Sequence, residues 1–356
     1  MTFTAEEIEE IRSQALEMET KGKLPQQFLN WIYERGLFKL FVPRQLDGHM
    51  TPLPEALKWF EHASWINGSF GWLITIGSGG GFFAPFVAPS VARAVFASPQ
   101  AVVAGSGHPS GTAKQVKGGY TVSGRWKFCS GSTHATVFTA NCIVDTGDSS
   151  ATPQIRSFIF WPDQIEIIKD WKAFGLKATE SHSIAVNELF VPKEMTFDIS
   201  QPADVYADPV YTYPFLPFAE ASFAAVSIGV SRHFLDEARL ILERNKEAWE
   251  SSTVNRYAAV RGKIDKMDAL LARSVKQFYE VIEESWARHV NGQPLSEEES
   301  MRVSRQCKQT GSAALSCADS IFPYMGIHAV MEDTALNQIF RDLHTVCHHS
   351  LLVAFE

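Results

Sequence analysis

The chain has 356 residues, of which 45% are hydrophobic and 20% charged, and its formal net charge is −8. That is the composition of a globular protein long enough for two or three domains and a real core. The acidic balance excludes the basic footprint of a nucleic-acid binder, and no run of about eighteen apolar residues offers a membrane span.

The first residues, MTFTAEEIEEIRSQ, lack the charged and apolar regions of a secretory leader, which reads as a cytoplasmic protein. Thr4 and Glu7 form a capping box ahead of a charged amphipathic helix over 5–18. Phe28, Leu29, Ile32 and Tyr33 recur at helical spacing, and a helix over 53–64 carries Pro54 in its first turn. Asn67-Gly68-Ser69 breaks the pattern as an N-capped turn before 70–76, and a short helix covers 91–96. The glycine run at 77–81 has neither a P-loop lysine nor a Rossmann context. It is read instead as room left for a substrate.

From 101 to 200 the pattern alternates in twos, with strands expected over 136–144, 155–161 and 183–191. Gly118-Gly119 is read as the two-residue turn of a β-hairpin, followed by Tyr120 to Ser123, Gly124 and the strand from Arg125 to Phe128. That strand runs into Ser130-Gly131-Ser132-Thr133-His134, where small residues let backbone N–H groups come close to a ligand. Hydroxyls and amides beside Trp126 and Phe128 suit a flat, polar heteroaromatic ring, flavin-like or nucleotide-like. Prolines between 201 and 217 mark a domain junction, and helices are expected over 221–245, 255–291, 296–320 and 333–356. Cysteines 129, 142, 307, 317 and 347 include no C-x-x-C and are odd in number, against a disulfide framework or zinc site. Cys129 reads most simply as a small buried hydrophobe.

The run GGY-x-V-x-G-x-W-x-F-x-S-G at 118–131 resembles the middle β-domain of the acyl-CoA dehydrogenase superfamily. It is closer to that superfamily's flavin-dependent monooxygenase branch, which includes two-component hydroxylases of phenols and dibenzothiophene oxygenases. Ser106-x-His108-Pro109-Ser110-Gly111-x-Ala113 is similar to the branch's small-residue strand. Phe174-Gly175-Leu176-Lys177-Ala178-Thr179 and Phe190-Val191-Pro192-Lys193-Glu194 resemble the segments closing the same domain. The resemblance implies an α+β multidomain fold: an N-terminal helical domain (1–100), a middle antiparallel β-barrel or sandwich domain (101–200) and a C-terminal four-helix bundle (201–356), assembled as a homotetramer.

It also implies a flavin, FAD or FMN in reduced form, and a cofactor site of Phe128, Cys129, Ser130, Gly131 and Ser106. Ser130 falls where a hydroxyl or amide meets the flavin N5/O4 edge, and Phe128 where an aromatic covers the ring. For both, an ordinary strand residue is the simpler alternative. Arg125 and Lys127 alternate with the aromatics and face solvent or a phosphate tail.

Arg341-Asp342 resembles the pair opening the superfamily's last helix, whose dehydrogenase members then carry a catalytic glutamate. Here Ser350 takes that position, and a neutral hydroxyl cannot remove an α-carbon proton. His349 falls where the monooxygenase branch has a histidine, able to hydrogen-bond a flavin–oxygen adduct or deprotonate a phenol. His344 and His348 share a helix face one turn apart, and the plain reading is interaction with the helix C-terminus rather than with a metal. Glu220, acidic in an apolar run, is a weaker alternative base. Its simpler reading is a charge near a helix N-terminus.

Three functions follow: a two-component monooxygenase acting on a small, possibly aromatic substrate with a separate flavin reductase; an FAD-dependent acyl-CoA dehydrogenase with a displaced base; or a catalytically silent flavin-binding homologue.

Overall fold

The computed structural model describes residues 2–146, 154–201 and 205–354. The N-terminal helices are α1 (Ala5–Ser13), α2 (Ala15–Lys21), α3 (Gln26–Glu34), α4 (Leu53–Ile66), α5 (Gly68–Gly79) and α6 (Pro89–Phe96). Thr4 and Glu7 close the expected capping box, and Asn67 caps α5 by accepting from Phe70 N–H at 3.1 Å. The single helix expected over 5–18 breaks at Gln14, which leaves helical geometry between α1 and α2.

The strands are β1 (Val103–Val116), β2 (Gly119–Cys129), β3 (Val137–Asp145), β4 (Gln154–Phe160), β5 (Glu166–Ile168), β6 (His182–Pro192) and β7 (Thr196–Phe197). They form one sheet in the order β5-β6-β2-β1-β3-β4-β7. Its pairings are antiparallel except β1 with β3, which run parallel. After β2 the chain crosses the end of β1 through residues 130–136, so β3 leaves from the end where β1 began. Trp126, Phe138, Phe158, Phe160 and Ile184 fill the core on one face.

Val116 pairs with Gly119, so the hairpin turn is Lys117-Gly118, one residue earlier than the sequence suggested. Gly118 takes the left-handed φ of +84°, as a tight turn requires. Gly119 is needed for a different reason: a Cβ there would lie 2.2 Å from the Val191 carbonyl oxygen.

The C-terminal part comprises α7 (Pro209–Thr212), α8 (Phe215–Arg244), α9 (Lys246–Glu250), α10 (Arg256–Val290), α11 (Glu297–Ile321) and α12 (Ala335–Cys347). Of the junction expected over 201–217, residues 202–204 lie outside the described residues. The long helix α8 packs on α4, α10, α11 and α12, so one apolar core joins the N- and C-terminal helices. The last helix is shorter than expected. It stops at Cys347, where His348 Nδ1 bonds the His344 carbonyl at 2.7 Å and the chain turns; residues 355–356 lie outside the described residues.

Arg341 and Asp342 tie the three parts together. The Arg341 guanidinium donates to both Glu19 carboxylate oxygens and to the Phe174 carbonyl. Asp342 accepts from the Leu176 amide at 2.5 Å. A Cβ on Gly175 would lie 2.2 Å from the Arg341 carbonyl oxygen, so only glycine admits this approach.

Candidate active site

Ser130 sits where β2 ends, and its surroundings follow from two left-handed residues, Phe128 at φ +67° and Gly131 at φ +76°. They curl the chain so that the amides of Ser130, Gly131 and Ser132 donate to the carbonyls of Phe128, Thr179 and Cys129. The amides that the sequence suggested for a ligand are therefore committed within the protein. The contact that Ser130 can offer is its hydroxyl.

That hydroxyl is buried in a chain of hydrogen bonds. Trp72 Nε1 lies 2.9 Å from Ser130 Oγ, Ser130 Oγ 2.8 Å from Ser181 Oγ, and Ser181 Oγ 2.7 Å from Thr179 Oγ1. Thr179 Oγ1 ends the chain on the Leu176 carbonyl at 2.8 Å. An indole N–H only donates, a carbonyl only accepts, and each hydroxyl has one proton. For all four contacts to be hydrogen bonds at once, the direction must run from Trp72 to Ser130, Ser181, Thr179 and Leu176. The Ser130 proton is then given to Ser181, and one Ser130 lone pair remains.

Phe128 does not continue the alternation of β2. Its positive φ coincides with a break in the β2–β6 register, and the ring turns outward to 67% exposure, edge-on to Trp171 at 6.2 Å. A bare aromatic face beside a buried polar hydroxyl is an arrangement into which a flat heteroaromatic ring fits. Cys129 points the other way: fully buried in the sheet core, its thiol is pushed up to about 12 by burial and touches no ligand space. Arg125 is paired with Asp170 at 2.8 Å, while Lys127 is exposed.

His349 lies just past the end of α12. Its ring is 4.5 Å from that of Phe223 and 6.0 Å from that of Trp72, centroid to centroid. Trp72 and Phe223 stack on each other at 5.0 Å, so His349 and Ser130 flank one aromatic pair. Nδ1 of His349 accepts from the Leu351 amide at 3.3 Å, which places the ring proton on Nε2. Burial lowers the His349 pKa and keeps the imidazole neutral at pH 7. Ser350, in the dehydrogenase base position, is exposed.

Between α5, α8 and β1 opens a cavity of about 200 Å³, lined by Ser106, Phe218 and Phe223 among others. Every described lining residue is uncharged. Gly79 borders it, and a Cβ there would meet nothing within 4 Å, whereas Gly77, Gly80 and Gly81 serve close packing against Phe38, Val103 and Phe41. Glu220 is not part of this lining. It is 1% exposed and faces α11, where Lys308 Nζ is 3.4 Å from its carboxylate. His344 Nε2 bonds Asp319 at 2.9 Å, away from Ser130.

The structure thus brings Ser130 and His349 to the Trp72–Phe223 pair, leaves Ser106 in the cavity that Phe223 also lines, and separates Cys129 and Glu220 from them. Sequence reasoning missed Trp72, Phe223, Thr179 and Ser181. Trp72 lies just beyond the Asn67-Gly68-Ser69 turn, which helix capping explains without it.

Residues 219–354 match the acyl-CoA dehydrogenase C-terminal domain. The chain is 23% identical over 341 residues to an indole-3-acetate monooxygenase of Pseudomonas putida, covering 96% of this chain and 87% of that protein. The crystal structure of a 3-HSA hydroxylase from Rhodococcus sp. RHA1 superposes with a TM-score of 0.90 at 22% identity, covering 97% of this chain and 90% of that one. XiaF from Streptomyces sp., in complex with FADH2 and glycerol, superposes with a TM-score of 0.80 at 18% identity over 98% and 93% of the two chains. The chain shares the fold of these proteins and matches the acyl-CoA dehydrogenase C-terminal domain over residues 219–354.

Proposed function

We propose that this protein is the oxygenase component of a two-component flavin-dependent monooxygenase. The observation that carries the reading is a neutral imidazole, His349, packed on Phe223, which in turn lines a cavity whose described walls are uncharged. Acyl-CoA dehydrogenation needs a carboxylate at the substrate's α-carbon. Ser350 is exposed and Glu220 is turned toward Lys308, so neither supplies that base.

The flavin, FAD or FMN, is supplied reduced by a separate reductase and brings the oxygen-transferring chemistry. The protein's own residues do the rest. Phe128 would cover the ring, Ser130 Oγ would accept from its N–H edge, and His349 Nε2–H would serve as a neutral donor to the oxygen being transferred. The apolar cavity holds the substrate and excludes water. Lys127 is the cation of this strand left for a phosphate tail.

A homotetramer is part of the proposal. Ile327, Val330 and Met331, between α11 and α12, are 50–74% exposed, an apolar patch of the kind subunits cover. Among the described residues no helix is long and apolar enough to cross a membrane. The five cysteines are buried and free, as suits a reducing cytoplasm.

The test uses the intact protein with an added NADH:flavin reductase. The reading expects no acyl-CoA-dependent flavin bleaching under anaerobic conditions. It also expects an oxygenated product from a small phenol or indole when reduced flavin and oxygen are supplied. Bleaching by acyl-CoA would establish the dehydrogenase alternative, and flavin binding with neither reaction would leave a silent homologue.

A further inference from the structure

The lining of the α5–α8–β1 cavity fixes the charge of what it can take. Its apolar wall includes Ile76, Phe83, Phe218 and Phe223. Its polar groups are almost all spent on the protein. Thr75 Oγ1 donates to the Gly71 carbonyl at 2.8 Å, and Ser222 Oγ to the Phe218 carbonyl at 2.9 Å. Ser157 Oγ donates to Asn141 Oδ1 at 2.7 Å, and Asn141 Nδ2 to the Gly107 carbonyl at 2.9 Å. The Thr139 hydroxyl remains, opposite Gly105 and on the sheet face of Val103 and Val137; Ser106, opposite Ala140, belongs to the other face. No lysine, arginine or histidine joins the lining among the described residues.

We infer that this cavity selects uncharged substrates and rejects their carboxylate analogues, with Thr139 holding the one polar group of the ligand. The inference rests on the monooxygenase reading for calling the occupant a substrate. The charge preference itself rests on the lining alone. A carboxylate moved into this space loses its hydration and gains no counter-ion, whereas a neutral hydroxyl or ring N–H finds the uncommitted hydroxyl of Thr139. The cavity is also smaller than the pockets of about 300–1,000 Å³ that hold drug-sized ligands, which limits the occupant to one or two rings. The relative from Pseudomonas putida is named for indole-3-acetate, an anion at neutral pH. The present lining provides no cation for such a group.

Two matched pairs of probes test this by isothermal titration at pH 7: indole against indole-3-acetate, and p-cresol against p-hydroxyphenylacetate. The expected result is that each neutral member binds at least about tenfold more tightly than its acid. Ala219→Arg, which places a guanidinium in the wall, should shrink or reverse that ratio. Thr139→Val should weaken both neutral probes by about tenfold, the loss of one hydrogen bond. Acids binding the wild type as tightly as the neutral probes, or no binding by either neutral probe, would overturn the inference. Titrating reduced FAD into the same protein keeps the two readings apart. A neutral preference without flavin binding would sink the monooxygenase reading and leave the cavity's charge selection standing.

Discussion

The indole N–H of Trp72, on α5, donates to the hydroxyl of Ser130 at the end of β2 over 2.9 Å. At the far end of the same chain the Leu176 carbonyl, which only accepts, sets the direction of every hydroxyl proton from Thr179 back to Ser130. It leaves Ser130 an acceptor with no free proton. Reduced flavin presents an N–H at N5, whereas oxidised flavin presents a bare acceptor nitrogen. With Ser130 at the flavin N5 edge, as proposed, the chain would favour the reduced form.

Ser181→Ala should release the Ser130 proton and let it meet oxidised flavin. Measured by fluorescence and anaerobic titration, the ratio of oxidised to reduced dissociation constants should fall about tenfold, the scale of one hydrogen bond. Ser130→Ala should instead weaken reduced flavin about tenfold. An unchanged affinity and unchanged oxygen chemistry in Ser130→Ala would remove that residue from the site.

His349 should act as a neutral donor. His349→Ala should divert reduced flavin and oxygen to hydrogen peroxide and cut product formation by about 10²–10⁴-fold, the range for a positioned acid–base group. Ser350→Ala should have little effect, since Ser350 is exposed. Because burial lowers the His349 pKa, the imidazole stays neutral below the usual histidine midpoint of about 6.5. Wild-type coupling should consequently persist as pH falls through that value and fail only at lower pH. Loss of coupling at or above the ordinary midpoint would contradict the neutral-donor role.

Stability should also carry a histidine signature. His233 is buried in α8, and its pKa is lowered to about 3 by burial. A folded pKa below the unfolded value means that the unfolded chain binds the proton first. Stability should then be lost as pH falls from about 6.5 toward 3, with a slope of up to about 1.4 kcal/mol per pH unit from this residue. Denaturant unfolding of His233→Gln across that range should show a shallower slope than wild type.

The junction of the three parts should be sensitive at Arg341. Truncation to alanine removes the bidentate partner of Glu19, which keeps Lys177 at 2.6 Å, and the bond to the Phe174 carbonyl. A cost of about 1.5–3 kcal/mol is expected, read as a lowered denaturation midpoint. Gly175→Ala should destabilise as well, because its Cβ would collide with the Arg341 carbonyl. A midpoint unchanged in both variants would show that the contact does not hold the parts together.

What the sequence made legible was local or repetitive. The capping box at Thr4, the Asn67 cap, the alternation of β3, β4 and β6 and the long α8, α10 and α11 all follow from short-range rules. The left-handed Phe128 was not readable, because strand alternation places it with Trp126 on the core side. The parallel pairing of β1 and β3 depends on where a crossover lands rather than on any residue in the strands. Trp72, Ser130 and Ser181 are more than 50 positions apart in successive pairs, so no spacing rule could join them. His349 was placed by resemblance, and its partner Phe223 emerged only from the packing of α8 against the turn after α12.

The most direct measurement mixes the protein with reduced FAD or FMN under anaerobic conditions and then with oxygen, following flavin oxidation and hydrogen peroxide release in stopped flow. The account predicts stoichiometric binding of reduced flavin and slower peroxide release than from free flavin, with fast release restored in His349→Ala. Oxidation at the free-flavin rate with and without the protein would contradict it.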